Sequence, residues 1–267
     1  MRNSIVRAAF SVVCAAALTF VAGHCAAQAY PSKPVKIVLS SPGGGTDVIA
    51  RLFADQFTRA FGPQFIVESR QPNVAATNYV AKSKPDGYTL LLGSTSWAVA
   101  PSLYAKPPYD ALKDFAPIGR IGFIPSVLVV HPTLPVNDLK ALIKLAKAQP
   151  GKLDYSSSGK GAPSHLFVEY FKSLAGVDIV EVPYKNTAQA LTDVMSGIVG
   201  ITADTVVSLR PHVASGRLKP LAVTTRRSTE LLPNVNSVAE QGYPDFEIVG
   251  WISLYGPKGT PREAVTY

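Results

Sequence analysis

Cysteine is almost missing from this chain: of 267 residues only Cys14 and Cys25 are cysteines, and both fall in an N-terminal stretch that reads as a removable leader. What remains has no thiol, which excludes disulfides, cysteine-ligated metal and thiol chemistry. Histidine is scarce as well. Beyond the leader there are His131, His165 and His212, far apart in sequence, which argues against a built-in metal site, and no cofactor is implied. No lysine or arginine block and no interleaved aromatic ladder is present, so nucleic acid is not an expected partner. Low-complexity tracts, heptads and fixed-period repeats are also lacking. Among enzyme signatures there is no Gly-x-Ser-x-Gly elbow and no glycine-lysine-serine/threonine phosphate loop. Gly159-Lys160-Gly161 meets Ser164 where a dinucleotide fingerprint needs its third glycine.

The leader itself is informative. Arg2 and Arg7 form a basic head, residues 8–23 are almost wholly apolar, and Ala27-Gln28-Ala29 places small residues where a signal peptidase reads them. Cleavage is expected after Ala29, leaving Tyr30 as the mature terminus of a soluble exported protein. A lipoprotein anchor at Cys25 is disfavoured by His24 before it. The leader carries two of the 26 basic residues and none of the 18 acidic ones, so the remainder keeps a surplus of six positive charges, which suits an anionic ligand.

What the chain does have is glycine placed at strand ends. Ser40-Ser41-Pro42-Gly43-Gly44-Gly45-Thr46-Asp47 follows the apolar run 35–39 and opens a helix-patterned segment with Val48, Ile49, Leu52, Phe53 and Phe57. Successive glycines let the backbone approach a ligand closely, and the free amides of a first helical turn present partial positive charge. Alternation continues along the chain, with short buried strands expected at 35–39, 65–68, 88–93, 127–131, 153–156, 179–182, 198–203 and 221–224. Between them lie amphipathic helices, one capped by Asn137 and another by Ser164. This is an α/β pattern of parallel-dominated sheets flanked by helices, in which ligands bind beyond the carboxyl ends of the strands. A second glycine-rich turn, residues 156–165, repeats the logic of the first about a hundred residues later, as expected if each of two lobes offers one anion-binding helix terminus to a shared cleft.

The combined motifs are specific. YPSKPVKIVL, PGGGTDVIAR, KPDGYTLLLG, APSLYAKPPYD, KDFAPIGRIG, VLVVHP, PGKLDYSSSGKGAPSHL, VPYKNTAQALTDVMSG and LKPLAVTT occur in that order, and over residues 30–261 the chain resembles the Bug family of periplasmic solute receptors serving tripartite tricarboxylate transporters. The resemblance implies a two-lobed periplasmic binding protein of the Venus-flytrap kind, with no catalytic activity, that captures a small carboxylate (an amino acid, a di- or tricarboxylate or an aromatic acid) for an inner-membrane permease. It further implies that backbone amides and hydroxyls, not an arginine clamp, hold the ligand. Carried over by position, the first lobe supplies Gly43, Gly44, Gly45, Thr46, Asp47, Ser94 and Thr95. The second supplies Ser157, Gly159, Gly161, Ala162, Pro163, His165 and Asp204. Asp47 and Asp204 look contradictory beside an anion, and are expected to accept amides of their own helix turns or to hold an ordered water. Expected boundaries are a leader at 1–29, a first lobe at 30–128, a second at 129–235 and a return to the first at 236–267.

Departures from the family pattern fall at Ser69-Arg70-Gln71-Pro72-Asn73-Val74-Ala75-Ala76-Thr77, which lacks the usual glycines, at Pro183-Tyr184-Lys185-Asn186, and at Ala203-Asp204-Thr205. These bear on specificity and not on fold. Relatives continue through further helices where this chain stops at Tyr267, so it looks truncated. Other roles stay open: His165 as a helix-start group, His131 as a strand-end residue, Trp97 and Tyr104 as cleft or core aromatics, Lys160 as an exposed loop lysine. Two other functions stay open. One is a receptor that feeds a sensor kinase instead of a permease. The other is a hydrolase using Ser164, His165 and Asp204, although adjacent residues on a helix diverge by about 100°.

Overall fold

The structure is a computed structural model describing residues 30–39, 44–70 and 73–266. The leader and its cleavage point, together with Gly43, lie outside the described residues. The described residues form nine strands and eight helices. In chain order these are β1 Val35–Leu39, α1 Gly45–Phe61, β2 Phe65–Ser69, α2 Asn73–Ala81, β3 Thr89–Ser94, α3 Thr95–Leu103 and β4 Phe115–Val130. There follow α4 Leu139–Ala148, β5 Asp154–Ser157, α5 Pro163–Ala175, β6 Val180–Pro183, α6 Thr187–Met195, β7 Ile201–Thr205, α7 Val206–Ala214, β8 Lys219–Val223, β9 Val249–Pro257 and α8 Arg262–Val265.

The long strand β4 organises the molecule. Its first part, through Pro125, pairs antiparallel with β9, and the sheet continues through β3 to the parallel pair β1 and β2. From Ser126 onward the same strand pairs antiparallel with β7 and β8, and β7 leads to the parallel strands β5 and β6. One curled, mixed sheet thus serves two lobes, each with its own core. In the first, alternation along β1 sends Val35, Ile37 and Leu39 against Ala50 and Ala54 of α1, while Val38 faces the opposite layer with Ala76, Val80 and Trp97. Burial on both faces is why β1 reads as a nearly unbroken apolar run. In the second lobe, Tyr155, Phe167, Phe171, Leu139, Leu142 and Phe246 are fully buried in one cluster, and Val127, Val129, Val194 and Leu209 form another on the opposite face.

Four local expectations are corrected. The cap of α4 is Asp138, whose Oδ1 accepts from Ala141 N at 2.7 Å; Asn137 instead accepts from Lys219 Nζ. Helix α5 begins at Pro163 behind Ala162, so Ser164 is inside the first turn and not the cap. The strand expected at 127–131 is the second part of β4. Its first part escapes a period-two reading because Pro117, Gly119, Gly122 and Pro125 interrupt it and register shifts follow Pro117 and Arg120. Residues 236–248 do not return to the first lobe: Val238 and Phe246 pack in the second core and Ser237 bridges Val223, so the chain recrosses at β9.

Candidate ligand-binding cleft

Between the lobes lies a cavity of about 360 Å³, at the carboxyl ends of β1, β3, β5, β6 and β7. Each of these strands ends in a helix start, and all five helix starts reach the wall. Gly44, Gly45 and Thr46 come from the start of α1, and Ser94 and Ser96 from that of α3. Ala162, Pro163 and Ser164 come from α5, Thr187 from α6, and Asp204 stands just before α7. Tyr104, Ser158, Gly159, Lys160, Tyr184 and Lys185 complete the lining. Converging helix N-termini sum their unsatisfied amides and positive dipole ends over one space. Among the described residues no arginine lines it.

The two glycine turns differ in how their amides are engaged. In the first, Asp47 N and Val48 N both donate to Gly44 O, at 3.0 and 3.3 Å, which leaves the preceding amides of Gly45 and Thr46 facing the cleft end of the helix. In the second, Ser158 N donates to Ser164 Oγ, Gly159 N to Ser157 Oγ, Gly161 N to His165 Nδ1 and Ala162 N to Gly159 O. That turn therefore orders itself with its own side chains, and its contribution to the wall consists of hydroxyls and the first turn of α5.

Of the residues expected at the site, Gly44, Gly45, Thr46, Ser94, Gly159, Ala162, Pro163 and Asp204 line the cavity. The other described ones do not. Asp47, in the first turn of α1, is buried and pairs with Arg51 Nε at 2.9 Å, one turn along. Thr95 turns toward Gly250 of β9. Ser157 is fully buried and donates to Glu181 Oε1 at 2.5 Å. Gly161 lies against Leu103 and Val99 of the opposite lobe. His165 accepts from Gly161 and faces Glu181 Oε2 at 4.0 Å, which makes it an organiser of its own turn. Trp97 packs in the core against Tyr255, Phe115 and Trp251, whereas Tyr104 reaches the cleft. Residues missed by the sequence reading include Ser96, Tyr184, Lys185 and Thr187. The last three were findable, because strand 180–183 followed by Asn186, which caps α6 by accepting from Gln189 N, repeats the strand-to-helix grammar of the glycine turns.

The hydrolytic set does not assemble: Ser164 Oγ is taken by Ser158 N, His165 by Gly161 and Glu181, and Asp204 Oδ1 accepts from Thr205 N at 2.6 Å. Asp204 Oδ2 is buried and makes no hydrogen bond among the described residues. Burial pushes this carboxyl up to about 6, against the opposing pull of the Thr205 N–H and the Ser208 hydroxyl. Tyr184, by contrast, directs its hydroxyl away, donating to Asp193 at 2.7 Å, and burial with that bond raises it to about 12.

The closed outline of the cleft depends on close contacts across it. A Cβ on Gly44 would meet Thr187 Oγ1 at 3.2 Å, and one on Gly45 would overlap the Thr205 side chain. Gly161, at φ +81°, would place a Cβ 2.5 Å from Leu103 Cδ1. Each contact joins one lobe to the other.

Residues 49–266 match the sequence profile of the tripartite tricarboxylate transporter family receptor. The chain belongs to that family. It is a receptor, binding solute without transforming it, and its two-lobed α/β fold is that of the periplasmic binding proteins it resembles. Protein BugT of Bordetella pertussis is 36% identical over 250 residues, covering 92% of this chain and 77% of that protein. Among solved structures, an R. palustris protein determined with adipate matches the receptor with a TM-score of 0.86 at 36% identity, over 89% of this chain and 81% of that one. MatC from Rhodopseudomonas palustris, with bound malate, gives 0.82 at 28% identity, over 88% and 82%. Among the described residues no helix of the receptor is long and apolar enough to cross a membrane.

Proposed function

We propose that the receptor is exported to the periplasm, with its leader cleaved after Ala29, and that it captures a small carboxylate there and presents it to the permease of a tripartite tricarboxylate transporter. The observation that carries this reading is the convergence of five helix N-termini on a cavity with no arginine among the described residues of its wall. Fixed amides and hydroxyls from Gly45, Thr46, Ser94, Ser158 and Ser164 suit the oxygens of a carboxylate. Lys160 and Lys185 are exposed and add a solvent-screened attraction. The cavity volume suits a small organic acid. Adipate and malate in the two structural relatives support the same class. Capture then follows from closure of the lobes about the two crossing strands, and the closed shape is what a permease reads.

The test is thermal unfolding of residues 30–267 with acetate, succinate, malate, adipate, glutamate and benzoate, each beside its amide. At least one acid is expected to raise Tm and its amide to leave it unchanged. A hundredfold excess over Kd stabilises by about 2.7 kcal/mol, a shift of several degrees for a chain of this size. Equal shifts from acid and amide, or none from any acid, overturn the proposal.

A further inference from the structure

An anion seated on the five helix starts would share its space with Asp204, and two ionised carboxylates in one low-dielectric site repel strongly. Among the described residues no cation is among the groups that act on Asp204. Its Oδ1 is held by Thr205 N, the Ser208 hydroxyl also pulls on the carboxyl, and its Oδ2 is buried without a hydrogen bond among the described residues. The side chain lines the main cleft, and it also lines a smaller chamber of about 10 Å³, room for about one water molecule, walled by Ser156, Ser158, Ser164, Thr187 and Thr202. The charged and titratable groups around it are accounted for. Lys160, Lys185, Tyr104 and Tyr184 line the cleft, the His165 and Glu181 pair stands behind the second glycine turn, and Asp47 is held by Arg51 behind the first.

We infer that Asp204 is the specificity-determining residue of this cleft, and that its neutral carboxyl donates a hydrogen bond to the bound carboxylate, so that one proton from solvent enters the site with each ligand. The inference rests on the reading of the cleft as a carboxylate site. A pair of this kind, one carboxyl and one carboxylate sharing a proton, is stable where two carboxylates are not. Burial already raises this carboxyl toward neutrality in the unliganded protein, and a neighbouring anion raises it further. The ligand class narrows accordingly to acids that bring a carboxylate acceptor to Asp204, and away from amino acids that would bring an ammonium to it. An ionised Asp204 would serve an ammonium, with no proton taken up.

The experiment is calorimetric titration of residues 30–267 with whichever acid of the thermal panel gives the largest shift, at pH 6, 7 and 8, in two buffers of different ionisation heat. Close to one proton is expected to be taken up per ligand at pH 8, with affinity falling toward tenfold per pH unit above pH 6. Asp204→Asn keeps a donor in the same place and needs no proton, so its affinity is expected to lose the pH slope and to exceed that of the parent protein at pH 8. Circular dichroism of the variant establishes that it is folded, and the proton count on the unaltered protein stands independently of it. Tight binding with no proton exchanged, or loss of binding in folded Asp204→Asn, overturns the inference and leaves the carboxylate reading standing. A panel in which no acid binds overturns both.

Discussion

At the end of β7 two neighbouring side chains take opposite parts. Thr205 accepts from Ser208 N at 3.3 Å and so caps α7, while Asp204, which could have done the same, is turned into the cleft wall with the Thr205 N–H on Oδ1. The expectation that Asp204 accepts an amide near its own helix start is met on one oxygen, but the second oxygen is left for other chemistry. Its cost in the unliganded protein can be measured. The ordinary carboxyl of an unfolded chain titrates near 3.8 and the folded one is pushed up to about 6, so the folded state binds more protons between those values. Stability is therefore fully present below about pH 4 and is lost as pH rises through about 6. Asp204→Asn without ligand should melt higher than the parent protein at pH 8 and no higher at pH 4. The ceiling of the difference is about 3 kcal/mol from the linkage relation, lowered by whatever solvent reaches the group. Equal melting temperatures at pH 8 would show that Asp204 is hydrated and ionised at no cost.

Helix starts are the elements that make this site, and much of their placement was legible in the sequence. Val35–Leu39 ahead of Gly44 and Gly45, and the serine-rich strand end ahead of Pro163, announce strand-to-helix turns because a buried strand and a capped amphipathic helix carry different periods. Illegible were β9 and the first part of β4, whose glycines and prolines are tolerated because those strands bend between lobes. Illegible too was the purpose of individual glycines. Gly44, Gly45 and Gly161 read as room for a ligand, yet their missing side chains make room for Thr187, Thr205 and Leu103 of the facing lobe, a tertiary fact that no local pattern encodes. This separation predicts the outcome of Gly45→Ala. Alanine is well tolerated in a helical first turn, so α1 and both cores should form and far-ultraviolet circular dichroism should be unchanged. Closure, however, would drive the new Cβ into Thr205, and affinity for the best acid of the panel should fall at least tenfold, about 1.4 kcal/mol. Small-angle scattering at saturating acid should report a larger radius of gyration than for the parent protein. An unchanged affinity would mean that binding does not require these starts to meet.

For the whole molecule the question is how two lobes with separate cores act as one body. Among the described residues two stretches of chain cross between them, at Pro125 and Ser126 within β4 and at the entry to β9, and a buried residue ties the crossings together. Thr224 donates its backbone N–H to Ser126 O at 3.0 Å, its hydroxyl accepts from Ser126 N at 2.9 Å, and its carbonyl accepts from Ile248 N at 3.0 Å. Backbone bonds survive any side-chain change, but the hydroxyl is what satisfies Ser126 N. Thr224→Val has nearly the same shape and removes that acceptor, leaving a buried N–H unpaired at a cost of about 1–3 kcal/mol. For a chain of this size that corresponds to a Tm lower by roughly 2–4 °C per kcal/mol. Thr224→Ser keeps the oxygen and loses only a methyl group, so it should retain most of the stability. If valine and serine variants melt together, the methyl packing of Thr224 and not its hydroxyl holds the crossings. If valine alone melts low while both variants bind the best acid equally, the tie stabilises the hinge without setting the closed state. A valine variant that also binds more weakly would show that the same bond helps align the five helix starts, because the second-lobe strands β5, β6 and β7 are positioned against the first lobe through the β4 crossing that Thr224 fixes.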